Sequence, residues 1–448
     1  MQTLKLDTKR TVLIGFAFLS ICAFWQMYNS VVPLILTNTF HLNETWSGVI
    51  MAMDNILALF LLPLFGGISD KCTSPMGRRK PFILGGTLAA VALMLLLPLL
   101  DDSYFTAAAT WKLAAFIGVL GCLLVAMGTY RSPAVALMPD VTPKPLRSKA
   151  NAIINLMGAV GGILYLIIAS VLYSSARTKG MTHVSYLLLF AVVAGIMLLA
   201  LVVVLFAVDE PALVARAQEY EARHPEENLA VADEATGGEM LPPEVRRSLG
   251  FLLASIALWF IGYNALETWF TTFASRMWGM ALGDASLCLT VATAGAILSY
   301  IPVGAIASRI GRKKTICGGV VLLSGCFFTG FVYSCFAHTF HPALYVLFVL
   351  VGMAWAGINV NSLPMVVEMC RGSDVGRFTG YYYTFSMAAQ TVTPIVAGAL
   401  LNRVGYVVLF LYGGVAVALA FVTMQFVRHG DNKVEAKKGL EAFADMDD

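Results

Sequence analysis

Apolar residues run along this chain in twelve long blocks, near positions 12–37, 46–68, 82–100, 112–138, 150–174, 185–208, 248–273, 285–307, 314–336, 342–367, 378–400 and 405–427. Each is close to or above the ~20 residues that a helix needs to cross the hydrocarbon core of a bilayer. The pattern predicts an all-α integral membrane protein with twelve transmembrane helices. One long polar segment, 209–247, interrupts it with ten acids and four arginines, and Gly237-Gly238 breaks that segment. It separates six spans from six. The expected organisation is an N-terminal half at 1–208, a cytoplasmic linker at 209–247, a C-terminal half at 248–428 and a charged tail at 429–448. Within the linker, Ala212–Arg223 is expected to form a short surface helix.

Composition agrees. The chain has 448 residues, 58% hydrophobic and 13% charged, with a mean hydropathy of +0.76. A soluble domain of this size could not hide that much apolar surface, so a lipid bilayer is the expected partner. A net charge of +3, with no basic patch interleaved with aromatics, gives no reason to expect nucleic acid. Eight cysteines form no CxxC and no Cys/His pair, so neither disulfides nor a metal site nor another cofactor is expected. The start, MQTLKLDTKR, reads as a basic stub before a first span rather than as a removed signal peptide. The short loops 69–81, 140–150, 308–314 and 368–377 carry thirteen Lys/Arg, and the loops on the other side carry five. That asymmetry places both termini in the cytoplasm, and the cell membrane is the expected location.

The two halves echo each other. Tyr28-Asn29 matches Tyr263-Asn264, Gly66 matches Gly304, and Asp140 matches Glu368, at offsets of 235, 238 and 228. Three ordered matches predict a six-helix repeat, the usual build of secondary transporters, whose site lies near mid-membrane.

Charges inside the spans are the sharpest candidates, because each costs at least ~2.5–3.5 kcal/mol at the bilayer centre. Asp54 is sixteen residues from Asp70, ~24 Å up its helix. It reads either as a carboxylate that takes and releases a proton or as a packed structural acid. Glu267 stands at a similar height in the second half, with a loop-capping role as its alternative. Arg131, ~13 Å inside the end of span 4, either binds substrate oxygens or ties a carboxylate in place. These three are the candidates for proton coupling. The neutral candidates for substrate binding are Gln26, Tyr28, Asn29, Asn55, Tyr263, Asn264, Trp355, Asn359 and Gln390. Amides beside aromatic faces suit a carbohydrate. The competing reading for each is an interhelical hydrogen bond or an interface aromatic.

Two basic hairpins complete the set. Gly66–Pro81 reads GGISDKCTSPMGRRKP, and Gly304–Lys314 reads GAIASRIGRKK. Asp70 and Asp140 end spans 2 and 4, where the helix macrodipole disfavours an acid without nearby cations. Arg78, Arg79 and Arg147 stand close in sequence. Arg309, Arg312, Glu368, Arg371 and Arg377 repeat the arrangement. These residues read as ion pairs of a cytoplasmic gate, or as cations required only by topology.

Gly66-x-x-x-Asp70-Lys71 with Gly77-Arg78-Arg79-Lys80 resembles the loop 2–3 signature of the major facilitator superfamily. With Cys72–Met76 lengthening the loop, Ser69–Ile83 is similar to the sucrose–proton symporters and the related glycoside–pentoside–hexuronide:cation symporters, as is Asp140 before Arg147 and Ala150-Asn151. The resemblance implies two pseudo-symmetric halves that move against each other by alternating access. It implies uptake of a glycoside such as sucrose or maltose by symport, and a monomer is expected. Melibiose-type symporters carry two acids a turn apart on helix 2; here Asp54 is followed by Ala58, which favours a proton over sodium. Gly158–Gly162 lacks the Gly-Pro step of drug/proton antiporters. An exporter of a sugar or amphipathic compound remains the first alternative and a membrane sensor the second. No enzyme is expected, since no ligand cluster or Ser/His/Asp set appears.

Overall fold

The computed structural model describes residues 6–223, 242–369 and 375–431. Arg371, the linker residues 224–241 and most of the tail lie outside them. Among the described residues, twelve helices are long and apolar enough to cross a membrane. In the first half they are α1 (Thr8–Leu34), α2 (Glu44–Asp70), α3 (Lys80–Thr106), α4 (Thr110–Val141), α5 (Arg147–Leu172) and α6 (Leu187–Ala207). In the second half they are α7 (Pro243–Trp278), α8 (Leu282–Ile310), α9 (Arg312–Phe336), α10 (Leu344–Val367), α11 (Val375–Val404) and α12 (Val408–Gln425). In hydrocarbon the backbone must satisfy its own hydrogen bonds, which selects the helix even where proline interrupts it. At Pro33 of α1 the chain passes into a π-turn at Ile35–Thr39, and the Thr37 hydroxyl donates to the Pro33 carbonyl at 2.8 Å.

The repeat expected from the three sequence matches is expressed in packing. In the first unit α1 packs on α5 and α6, and α3 on α4 and α6. In the second, α7 packs on α11 and α12, and α9 on α10 and α12. Lipid supplies no hydrophobic drive between helices, so close backbone approach does the work. Gly161 of α5 shows this: a Cβ there would stand 2.7 Å from the carbonyl carbon of Leu19 in α1. Large apolar side chains such as Phe60, Phe206, Leu298 and Phe336 are exposed on outer faces, as a lipid solvent permits.

Of the described residues, one compact unit holds 6–42 with 53–223, and the other holds 43–52 with 242–369 and 375–431. The first turns of α2 therefore belong with the second unit, where the Tyr406 hydroxyl donates to Glu44 Oε1 at 2.5 Å. The linker helix, Glu210–Arg223, belongs with the first. It starts two residues before the expected surface helix, and it is not only a surface element, since Glu210, Leu213 and Ala217 are buried.

Candidate functional site

In the first unit the ends of α2 and α4 and the start of α3 meet around Arg79, which is 5% exposed. Its Nε donates to Asp140 Oδ2 at 2.7 Å and its Nη1 to Ser69 Oγ at 2.5 Å. Its Nη2 pairs with Asp70. Arg78 reaches Asp140 at 3.4 Å from a more exposed position. One planar fork thus serves two helix C-termini that end in acids, a geometry that an ammonium cannot copy. Burial opposes the charge on Arg79, but Asp140 and Asp70 outweigh it and hold its pKa above the ordinary value. Arg147 pairs with Glu221 of the linker helix at 3.6 Å and donates to the Thr142 carbonyl.

Glu210 completes this end, and the sequence reading did not single it out. Its Oε1 accepts the backbone N–H groups of Arg78 at 2.6 Å and Arg79 at 2.9 Å, and its Oε2 accepts that of Lys80 at 3.1 Å. The amides at a helix N-terminus have no partners of their own and carry partial positive charge, so a buried carboxylate fits there. Gly77 makes the approach possible. Its φ is +107°, and a Cβ would meet the Glu210 side chain. Lys80 Nζ donates to the Leu205 carbonyl near the end of α6. The available signal was Asp209-Glu210-Pro211 directly after an apolar run, a helix-start pattern.

The second unit repeats the device. Gly311 has φ +95° and borders Asp431, whose Oδ1 accepts the Lys313 N–H at 3.2 Å. Lys313 Nζ donates to the Val427 carbonyl at 2.6 Å. Arg312 pairs with Glu368. Arg377 turns along its own helix, donating to the Tyr381 hydroxyl at 2.7 Å with its guanidinium over that ring. Arg309 is exposed and has no ion pair among the described residues.

Deeper in the first unit, the Arg131 guanidinium lies 5.7 Å from the centre of the Trp25 ring, within cation–π range. Trp25 meets Tyr28 edge-on at 5.4 Å. Tyr28 is buried, its hydroxyl has no hydrogen-bond partner among the described residues, and the Asp54 carboxylate acts on it electrostatically. Asp54 Oδ1 also accepts the Asn55 N–H at 2.6 Å. Gln26 faces Gly162 of α5. Asn29 and Asn55 are half-buried. The scaffold is fixed next door, where Tyr130 donates to the Ala17 carbonyl at 2.9 Å and bonds the Ser20 hydroxyl. The structure therefore brings Tyr28, Trp25 and Arg131 together, with the Asp54 charge acting on Tyr28.

In the second unit Tyr263 stacks flat on Trp355 at 3.7 Å and 8°, and Phe260 meets Trp355 edge-on at 5.4 Å. Glu267, one turn beyond Tyr263, acts on it electrostatically. Asn264 spends its amide N–H on the Phe260 carbonyl of its own helix at 2.8 Å. Asn359 is buried, and Gln390 is half-buried on α11.

Residues 14–281 and 273–444 match the profile of the Major Facilitator Superfamily. The chain belongs to the Major Facilitator Superfamily. Within it, a sucrose transport protein of Arabidopsis thaliana, SUC3, is 32% identical over 152 residues, a stretch that covers 31% of this chain and 25% of that protein. A sucrose transport protein of Oryza sativa subsp. japonica, SUT3, is 34% identical over 121 residues, covering 24% of each. The matched stretches thus span about a quarter of these relatives. Among solved superfamily folds, the xylose transporter XylE from E. coli has a TM-score of 0.66 at 14% identity, over 96% of this chain and 97% of that one. A bacterial homologue of the iron transporter ferroportin has a TM-score of 0.69 at 13% identity, over 94% of this chain and 100% of that one. The family and its named relatives are transporters rather than enzymes, and the sucrose-transporter resemblance of residues 66–83 agrees with them.

Proposed function

We propose that this superfamily member is a secondary transporter that takes up a glycoside of the sucrose or maltose kind together with a proton, by alternating access. One observation carries the coupling: the Asp54 charge acts on Tyr28, whose buried hydroxyl lacks a partner among the described residues, with Arg131 held over Trp25 next to that ring. An intramembrane carboxylate whose field reaches an unsatisfied donor suits a group that gains and loses a proton. Ala58, a turn beyond Asp54, supplies no second acid for sodium. The stacked Tyr263–Trp355 face with Glu267 offers what a sugar recognises: an aromatic plane for C–H groups and a carboxylate for hydroxyls. The sucrose transport proteins among its relatives support the same substrate class. The loop cations support a cytoplasmic location for both termini, in the cell membrane. The protein works as a monomer, with the proton as its coupling ion.

The test is uptake of radiolabelled sucrose and maltose into proteoliposomes under an imposed proton gradient, a sodium gradient or neither. Accumulation driven by the inward proton gradient supports the reading. Accumulation only with sodium, or no saturable uptake of either sugar, overturns it.

A further inference from the structure

At the end of the first unit opposite the Arg79 loop stands a group of side chains that the transport reading does not use. α3 closes on Asp101-Asp102-Ser103, and the segment before α6 brings His183 and Ser185 against it. His183 Nε2 lies 2.8 Å from Asp102 Oδ1 and 3.8 Å from Asp101 Oδ2. One ligand atom from each of the three lies within 4.8 Å of the others. Asp101 is 0% exposed, and neither of its carboxylate oxygens has a hydrogen-bond partner among the described residues. The Thr39 side chain lies close to it, outside hydrogen-bond geometry. The neighbouring cation is committed elsewhere, since Lys112 Nζ donates to the carbonyls of Ser103 and Ala107 at 2.8 and 2.7 Å.

The surroundings hold these groups in place. Ser185 Oγ donates to Asp102 Oδ2 at 2.6 Å, which fixes that carboxylate. Phe105 stacks on the imidazole at 4.3 Å and 11°, which fixes its plane. Tyr173 donates to the Ser185 carbonyl at 2.9 Å. Partners of this kind orient ligand groups in metal sites. A buried carboxylate with both oxygens unsatisfied is stabilised by taking up a proton or a cation, and here a second carboxylate and an imidazole converge on it, as around a cation.

We propose that Asp101, Asp102 and His183 bind one divalent transition-metal ion, with zinc the best fit. One imidazole nitrogen and two carboxylate oxygens match zinc's ligand preferences and leave a fourth position open. Calcium and magnesium favour all-oxygen shells with more ligands. Bonds of ~2.0–2.1 Å set neighbouring ligand atoms ~3.3 Å apart, so the ion replaces the His183–Asp102 contact by opening it slightly and draws Asp101 in. The sequence did not signal this site, because 81 residues separate His183 from Asp102 and no short ligand motif marks it. A bound ion would tie the end of α3 to the segment that enters α6.

The experiment uses the full chain, purified in detergent with a tag free of histidine. Zinc is titrated against a chromogenic chelator, and cobalt(II) is followed by its visible absorption. The expected result is one zinc per chain and a tetrahedral cobalt band. H183A and D101N, with melting curves like the wild type, lose both, and S185A binds about tenfold more weakly. A wild-type protein with neither the zinc equivalent nor the cobalt band overturns the proposal without reference to any variant. An undiminished zinc equivalent in folded H183A overturns it as well.

Discussion

The carboxylate of Glu210 lies 2.6 Å from the backbone nitrogen of Arg78, across 132 residues of chain. With the bonds to Arg79 and Lys80, this single side chain caps the N-terminus of α3 and anchors the linker helix. Asp431 stands in the same relation to α9. Each half therefore fastens the segment after its sixth helix to the start of its third.

Glu210→Ala leaves buried amides without an acceptor, which costs about 1–3 kcal/mol. Gly77→Ala forces a side chain into a positive-φ conformation, at about 1–3 kcal/mol, and drives its Cβ into Glu210. The double variant loses less than the sum, because the collision disappears with the carboxylate. Thermal melts of the four proteins in detergent check this. Strict additivity would refute the contact.

Arg79 and Arg78 differ in weight although they are adjacent. Arg79→Ala takes the donor from half-buried Asp140 and buried Ser69 and the pair from exposed Asp70, and costs about 1–3 kcal/mol. Arg78→Ala removes an exposed pair worth under about 1 kcal/mol. Arg79→Lys does not restore stability, since one ammonium cannot reproduce the fork to Asp140, Ser69 and Asp70. Expression level and melting temperature across the three variants report the order.

Asp54→Asn abolishes accumulation of labelled sucrose driven by a proton gradient and retains sucrose exchange across the vesicle membrane. The two assays are run on the same proteoliposomes. Normal uphill uptake by this variant removes Asp54 from the coupling role.

Trp355→Ala removes the stacked face, while Tyr263→Phe keeps it and loses only a hydroxyl. With such aromatic contacts worth about 0.5–1.5 kcal/mol, Trp355→Ala raises the KM for sucrose about three- to tenfold. Tyr263→Phe changes it less. Equal KM values for Trp355→Ala and the wild type would exclude the face from binding.

Much of the fold could be read from the chain because membrane spans are written locally. A run of apolar residues names its own helix, and a carboxylate such as Asp54 stands out against it. The repeat was legible for the same reason: Asp140 and Glu368 end corresponding runs. What escaped depends on partners far apart. Glu210 looked like one linker acid among ten, and only the folded chain shows what it caps. Asp101 lies near the end of α3 and His183 in the segment before α6, with no shared motif. Asn264 matched Asn29 by position, yet it turns its amide back on Phe260, a choice that position cannot express. Arg377 lay among gate cations by sequence and rests on Tyr381 in the structure.

The Glu210 cap also carries a schedule. The first amides of α3 leave the ribosome 132 residues ahead of the carboxylate that will cap them. At the usual ~5–20 residues per second, that interval is on the order of ten seconds, during which Arg78, Arg79 and Lys80 bond to water or to passing anions. The first half becomes complete only when the start of the linker has been synthesised. Its natural end as a unit of biosynthesis is therefore the linker helix, not the last turn of the sixth span.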